Sequence, residues 1–207
     1  MSRPRTKWKL LLVLAVLGGL TAGACWLEDV WNVYRFGAVA PGRLYRCRQP
    51  VGLQYPVLFR RYGIRRVISL RMEEEDPAAM NAEIVACRQA GVDYVNLPIG
   101  APLPDDPQIE RFLRAVRSSD GPVLLHCEHG RHRTGFLSAV YRVLFDGWTV
   151  DRAMSEELDA YDAAPEPGKR EQAREILQRI HAERSAWLRR TAPIAPTTTG
   201  IASDGAL

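Results

Sequence analysis

Pro122-Val123-Leu124-Leu125-His126-Cys127-Glu128-His129-Gly130-Arg131-His132-Arg133-Thr134-Gly135 is the stretch that decides the fold. Its first half is a short apolar run of the kind that forms a fully buried strand. A helical pattern from Phe136 to Phe145 follows its second half. A loop running from a buried strand straight into a helix N-terminus presents several unpaired backbone N–H groups toward one point. Such a nest favours an anion, and the helix dipole adds to it. A cysteine at the start of the nest has its thiolate stabilised, so Cys127 becomes a nucleophile at the floor of an oxyanion site. Arg133 closes the loop with a fork that can hold two oxygens of a phosphate. Thr134 can donate its hydroxyl to the sulfur, and Gly130 and Gly135 permit tight turning and close approach to a ligand.

Working outward, the flanking segments alternate between strand and helix. Arg43–Cys47, Arg66–Leu70 and Val92–Leu97 read as strands, with a further strand-like stretch at Val33–Phe36 before a Pro41-Gly42 turn. Tyr55–Tyr62 and Pro77–Ala90 read as helices stopped by Gly63 and Gly91. Pro107–Val116 places Ile109, Phe112, Leu113 and Val116 on one helix face, and Val150–Tyr161 is a further helix. Ala173, Ile176, Leu177, Ile180, Arg184, Trp187 and Leu188 keep helical spacing in a last amphipathic helix. The expected fold class is α/β: three layers, with a mostly parallel four- to five-stranded sheet flanked by helices. In such sheets ligands bind beyond the carboxyl ends of the strands, which is where Cys127 falls.

His126-Cys127-x5-Arg133-Thr134 resembles the H-C-x5-R-[ST] signature of cysteine-dependent protein tyrosine and dual-specificity phosphatases. The resemblance extends over roughly residues 39–161. Gly42-Arg43-Leu44-Tyr45-Arg46 with Gln49-Pro50 looks like the G-x-[LV]-Y-R-S-x-Q-P opening segment of bacterial and atypical members, and Gly63–Arg71 looks like their G-I-x-x-V-I-N-L-R strand. The chain is similar to the compact dual-specificity class. The resemblance implies that Cys127 attacks phosphorus to give a phosphocysteine, while the loop amides and Arg133 stabilise the oxygens in flight. It also implies a general acid on an upstream loop, for which Gly100–Asp106 offers Asp105 and Asp106. Asp106 before Pro107 reads as a helix N-cap, which leaves Asp105 as the acid. Gly130-Arg131-His132-Arg133-Thr134-Gly135 resembles the G-K-H-R-T-G of plant and fungal atypical phosphatases acting on inositol pyrophosphates. The substrate-binding candidates are therefore Glu128, His129, Gly130, Arg131, His132 and Arg133. Phosphoprotein is the first substrate expectation, and a phosphoinositide, inositol polyphosphate or pyrophosphate is the second.

Competing readings bear on the same residues. His126, His129 and His132 lie beside Cys127, yet their loop spacing lacks a second cluster to complete a four-ligand metal site, so no metal or other cofactor is expected. His126 is expected to hydrogen-bond within the loop. Cys87 falls on an apolar helix face, and Cys47 stands where the family has Ser, which raises a protective Cys47–Cys127 disulfide in an oxidising compartment. Glu73-Glu74-Glu75-Asp76 reads as a solvated acidic loop. A phosphate-binding pseudophosphatase and a sulfurtransferase remain the rival readings of the loop. Intact Cys127, Arg133 and Thr134 count against the first, and the Arg-Thr closure against the second.

Charge then assigns the N-terminus. The chain has 207 residues and a formal net charge of +4. Arg3, Arg5, Lys7 and Lys9 carry that entire excess ahead of the first acid, Glu28, so the body is neutral and a nucleic-acid partner is not expected. Leu10–Leu27 is uncharged, and as a helix would rise about 27 Å, near the lower limit for a membrane span. Basic residues before it and acids after it orient the N-terminus inward. A cleaved signal at Ala22-Gly23-Ala24 and a lipoprotein-like Cys25 are the alternatives, the first giving a secreted protein. The expected organisation is a basic N-terminus (1–9), a signal-anchor (10–27), a phosphatase domain (28–190) and a disordered tail (191–207). Arg outnumbers Lys heavily, as in GC-rich bacterial coding, so the expected location is a bacterial inner membrane with the domain periplasmic.

Overall fold

The computed structural model describes Trp8, residues 11–19, Thr21 and residues 32–100, 103–161 and 167–192. The elements run β1 (Gly37–Ala40), β2 (Leu44–Arg48), α1 (Gln54–Tyr62), β3 (Arg66–Ser69), α2 (Pro77–Ala90), β4 (Asp93–Asn96), α3 (Asp106–Arg117), β5 (Val123–Cys127), α4 (His132–Tyr141), α5 (Val150–Glu157), α6 (Pro167–Ala182) and α7 (Arg184–Arg190). A single π turn, Arg142–Asp146, extends α4, and short 3-10 turns occupy Glu73–Glu75 and Asp159–Tyr161. The strand order is β1-β2-β5-β3-β4; β1 is antiparallel to β2, and the other pairings are parallel. β5, the most apolar strand, therefore sits at the centre, with all five of its residues buried.

Side-chain alternation along β5 divides the core in two. Val123, Leu125 and Cys127 face α3, α4, α5, α6 and α7 across the larger cluster, which includes Phe112, Phe136, Leu177 and Trp187. Leu124 faces the opposite way, toward Tyr55, Leu58 and Phe59 of α1 and Cys87 of α2. The helices start where side-chain caps permit: Asp76 accepts from Ala79 N before Pro77, and Thr149 accepts from Arg152 N. The chain thus has the α/β, mostly parallel five-stranded sheet flanked by helices that the alternation of elements predicts.

Two expectations change at the edges. The last helix is interrupted at Glu183, whose backbone leaves the helical region, giving α6 and α7. Thr191, expected to begin the tail, is buried and donates its hydroxyl to Trp187 O at 2.8 Å. Residues 11–19 are helical, with Leu11, Leu12 and Val13 exposed, and among the described residues no helix is long and apolar enough to cross a membrane. Most of the flanks of 10–27, Cys25 and residues 193–207 lie outside the described residues.

Trp187 anchors the C-terminal helices, being fully buried in the larger cluster. Trp187→Ala is expected to destabilise the domain by about 3–5 kcal/mol. Urea unfolding measures it, and a loss under about 1 kcal/mol would detach α7 from the core.

Candidate active site

β5 ends at Cys127, and the chain turns through Glu128–Arg131 into α4. Cys127, His129, Arg131, His132 and Arg133 line a cavity of about 230 Å³ at the carboxyl end of the sheet. A larger cavity of about 520 Å³, between α1 and α2, is walled by Leu53, Pro56, Phe59 and Ile64 and holds no nucleophile. Of the two, the smaller holds a nucleophilic side chain, Cys127. Gly130 shows why glycine stands in the loop: its φ is +66°, and a Cβ there would lie 2.5 Å from Cys47 O and Arg48 N. The loop therefore lies directly against the backbone of β2.

Arg133 is held by groups that its own loop does not contain. Its Nη1 donates to Leu70 O at 3.1 Å, Ile99 O at 3.2 Å and Glu75 Oε1 at 2.5 Å, and its Nη2 donates to Glu75 Oε2 at 3.0 Å. These bonds take the end-on edge of the guanidinium and leave the Nε–Nη2 edge for two oxygens of a phosphate. Glu75 is thus a clamp on the loop arginine, where the acidic run predicts a solvated loop. The Arg133 hydrogen bond, helped by Met72 N and Arg71 and opposed by burial, pulls the Glu75 carboxyl down to about 2. Burial pulls the Arg133 guanidinium down, but Glu75 and the charges of Cys127 and Glu128 hold it above its ordinary value.

The basic rim is dense. Burial first, then Arg131, Lys169, Arg133 and His129, lower the His132 imidazole below its ordinary value, so it is neutral near pH 7. Lys169 reaches this rim from α6. Glu128 stands exposed beside His129, its Oε2 3.4 Å from His129 Nδ1, and does not line the cavity. Thr134 is buried, and its hydroxyl has no hydrogen-bond partner, so the expected donation to the Cys127 sulfur is not made here.

Both acid candidates are engaged elsewhere. Asp105 is the N-cap of α3, accepting from Gln108 N at 2.8 Å, while the Gln108 side chain accepts from Asp105 N. Asp106 is bound bidentately by Arg179 of α6, at 2.6 and 2.8 Å. That hydrogen bond lowers the Asp106 carboxyl, the opposite of what a proton donor needs. The cap falls on Asp105 and the free carboxylate of the pair goes to α6, reversing the expected assignment. Neither residue lines the cavity.

On the far face of the sheet, His126 Nε2 lies 2.8 Å from Glu83 Oε1, both side chains fully buried. Neither atom has a hydrogen-bond partner of acceptable geometry, so we read the contact as an electrostatic one, off the N–H line. Within the loop, His126 makes a long Nδ1 contact of 3.4 Å with Cys127 O. Burial, then Glu83, raises the Cys47 thiol well above its ordinary value and pushes Cys87 up to about 12. Cys47, Cys87 and Cys127 are free. Cys47 pairs with His126 in register and so shares its face, opposite Cys127. The Cys47–Cys127 disulfide is therefore not formed, and its geometry is wrong for the fold. Among the described residues, no group of three or more His, Cys, Asp or Glu side chains is placed to hold a metal ion.

Comparison with known proteins supports the geometry. A family model described as "DSP-PTPase phosphatase fused to NAD+ Kinase" matches residues 43–178. The dual specificity protein phosphatase TpbA of Pseudomonas aeruginosa (strain UCBPP-PA14) is 32% identical over 174 residues, spanning 75% of this chain and 74% of that protein. The crystal structure of P. aeruginosa TpbA superposes with a TM-score of 0.56 at 26% identity, over 69% of this chain and 86% of that one. The core catalytic domain of the PP-IP phosphatase SIW14 from S. cerevisiae, in complex with citrate, shares the fold, with a TM-score of 0.58 at 22% identity over 75% and 95% of the two chains.

Two outcomes test these placements. Asp105→Ala is expected to cost about 1 kcal/mol of stability as a lost cap and to leave turnover within a few-fold, whereas a general acid would cost about 10²–10⁴ in rate. Glu75→Gln is expected to cost about 2 kcal/mol at neutral pH. Because the folded-state carboxyl is depressed, that difference is full above about pH 4.5 and fades as the pH falls toward about 2. Urea unfolding of both proteins from pH 7 to pH 3 reads it.

Proposed function

The chain belongs to the cysteine-dependent dual-specificity and tyrosine phosphatase family, and from that membership we propose that it hydrolyses phosphomonoesters of phosphotyrosine, phosphoserine or phosphothreonine proteins through a phosphocysteine on Cys127. The observation that carries the reading is Arg133, held end-on by Glu75 at the mouth of a cavity floored by Cys127. In the proposed reaction, the sulfur attacks phosphorus in line with the departing oxygen, and the phosphoryl oxygens are received by the loop amides and the free edge of Arg133. The P–O bond breaks as the S–P bond forms; water then attacks the phosphocysteine and releases inorganic phosphate and the thiolate. No carboxylate lines the cavity among the described residues. The reading therefore favours leaving groups that depart without strong protonation, such as aryl phosphates.

A second reading has its own support. The charges of Arg131, Lys169 and Arg133, with His129, all act on the neutral His132 at the cavity. Such a concentration suits a substrate carrying several phosphates, a phosphoinositide or an inositol polyphosphate or pyrophosphate, whose anhydride also leaves easily. The proposal extends to location: the basic N-terminus and the uncharged 10–27 segment would hold the domain outside a bacterial inner membrane, with signal cleavage and secretion as the alternative. Carbonate-washed membranes of expressing cells are expected to retain the full chain; recovery in the soluble fraction would contradict the anchor.

Wild type is expected to turn over p-nitrophenyl phosphate in the presence of EDTA, and Cys127→Ser to lose at least about a thousandfold. Inactive wild type that still binds phosphate would instead identify a pseudophosphatase. Relative kcat/KM on phosphopeptides, phosphoinositides and inositol pyrophosphates then ranks the two substrate classes.

A further inference from the structure

Arg46 is the largest charged side chain with no solvent exposure, and it lies behind the phosphate-binding loop, outside the cavity. Its Nη2 donates to Gly130 O at 2.9 Å. Its Nη1 donates to Glu157 O at 2.7 Å and Glu157 Oε2 at 2.8 Å, and its guanidinium carbon sits 3.6 Å from the centre of the Tyr161 ring. The other Glu157 oxygen accepts from Arg142 Nε at 3.0 Å. Arg142 also donates to Asp146 Oδ2 at 2.7 Å, so two cations and two acids form one network, with the Arg46 end of it under the loop. Burying such a group is costly unless each of its contacts is held by the fold.

The partners of the neighbouring carbonyls show what the contact does. Glu128 O accepts from Gln49 N at 3.2 Å, His129 O from Arg35 Nη1 at 3.3 Å, and Gly130 O from Arg46 Nη2. Three consecutive loop carbonyls are therefore tied outward, toward β2 and the segment before β1. Because a trans peptide is planar, with its C=O and the following N–H antiparallel, each tie turns the N–H of His129, Gly130 or Arg131 toward the inside of the loop. Arg35 makes its tie from a left-handed φ of +56°, within the turn closed by Phe36 N donating to Val33 O at 3.0 Å. Arg46 also joins the loop to α5 and to Tyr161.

We propose that Arg46 is a positioning residue of the reaction: through Gly130 O it fixes the loop peptide whose N–H receives the transferring phosphoryl group, and its buried charge supports the anion there. Its charge reaches the nucleophile as well, since Arg46 and Cys127 interact across the loop. The other titratable groups that face Cys127 are His129, Arg131, His132 and Arg133 from the cavity and Cys47 from behind.

The inference rests on the phosphatase reading, so its test uses orthovanadate binding, which does not need turnover. Calorimetric titration of the full chain is expected to show vanadate binding about 30-fold weaker in Arg46→Met, with kcat/KM on p-nitrophenyl phosphate reduced by a similar factor through kcat. KM is expected to stay within twofold while kcat falls, a split that a merely structural loss would not produce. Arg46→Lys, which keeps the charge but not the fork, is expected to fall between, and it decides the matter should Arg46→Met fail to fold. A folded variant with vanadate affinity and kcat both within twofold of wild type overturns the role of Arg46 alone. A wild type that binds no vanadate overturns the phosphatase reading with it.

Discussion

The structure depends on one constraint: the chain must pass from the central strand into α4 with its peptide N–H groups turned inward around a point just above a sulfur. A loop can hold that arrangement only if its carbonyls are satisfied from outside, since each peptide that offers an N–H inward must place its C=O outward. β2 supplies that outer wall. It lies so close that a side chain at position 130 would collide with its backbone, and its Arg46 reaches under the loop to take Gly130 O. The parallel register of β2 with β5, Arg48 opposite Cys127, makes both contacts possible.

The same sheet separates two chemistries that sit one residue apart. Cys127 faces the helical layer and the cavity, while His126 faces α1 and α2 and meets the buried Glu83. Thiols on the Glu83 side are raised by burial and by its charge, so Cys47 and Cys87 are held protonated. On the Cys127 side, cations dominate: Arg133, Arg131 and Arg46 surround the sulfur. Reactive and inert cysteines within one strand pair thus differ by the face they occupy and the charge that shares it.

Most of the fold is legible from the residues, because buried parallel strands and amphipathic helices leave strong local periodicities. The loop is legible too, since a nucleophile, an arginine and two glycines fall within nine residues between a strand and a helix. What is not legible is every contact between distant segments. Glu75 reads as one of four solvated acids, yet it clamps an arginine 58 positions away. A signal was present: the acidic run follows β3 directly, β3 neighbours β5, and parallel strands bring their carboxyl ends to one edge. Local pattern puts the cap on Asp106 rather than Asp105, although either can precede a proline-containing first turn. What separates them is Arg179, on a helix whose packing no local rule supplies. Arg46 lies in a strand whose alternation marks its position as inward, but the acid that makes its burial tolerable is on α5.

In the proposed reaction the cavity, the end-on clamp on Arg133 and the outward-tied loop serve one covalent event at Cys127, an event open to direct observation. Wild type mixed with a radiolabelled aryl phosphate and quenched in acid within the first turnover is expected to carry label on the peptide containing Cys127, as an acid-stable and base-labile adduct. Turnover without any label on Cys127, or label on another residue, would contradict nucleophilic attack by this cysteine.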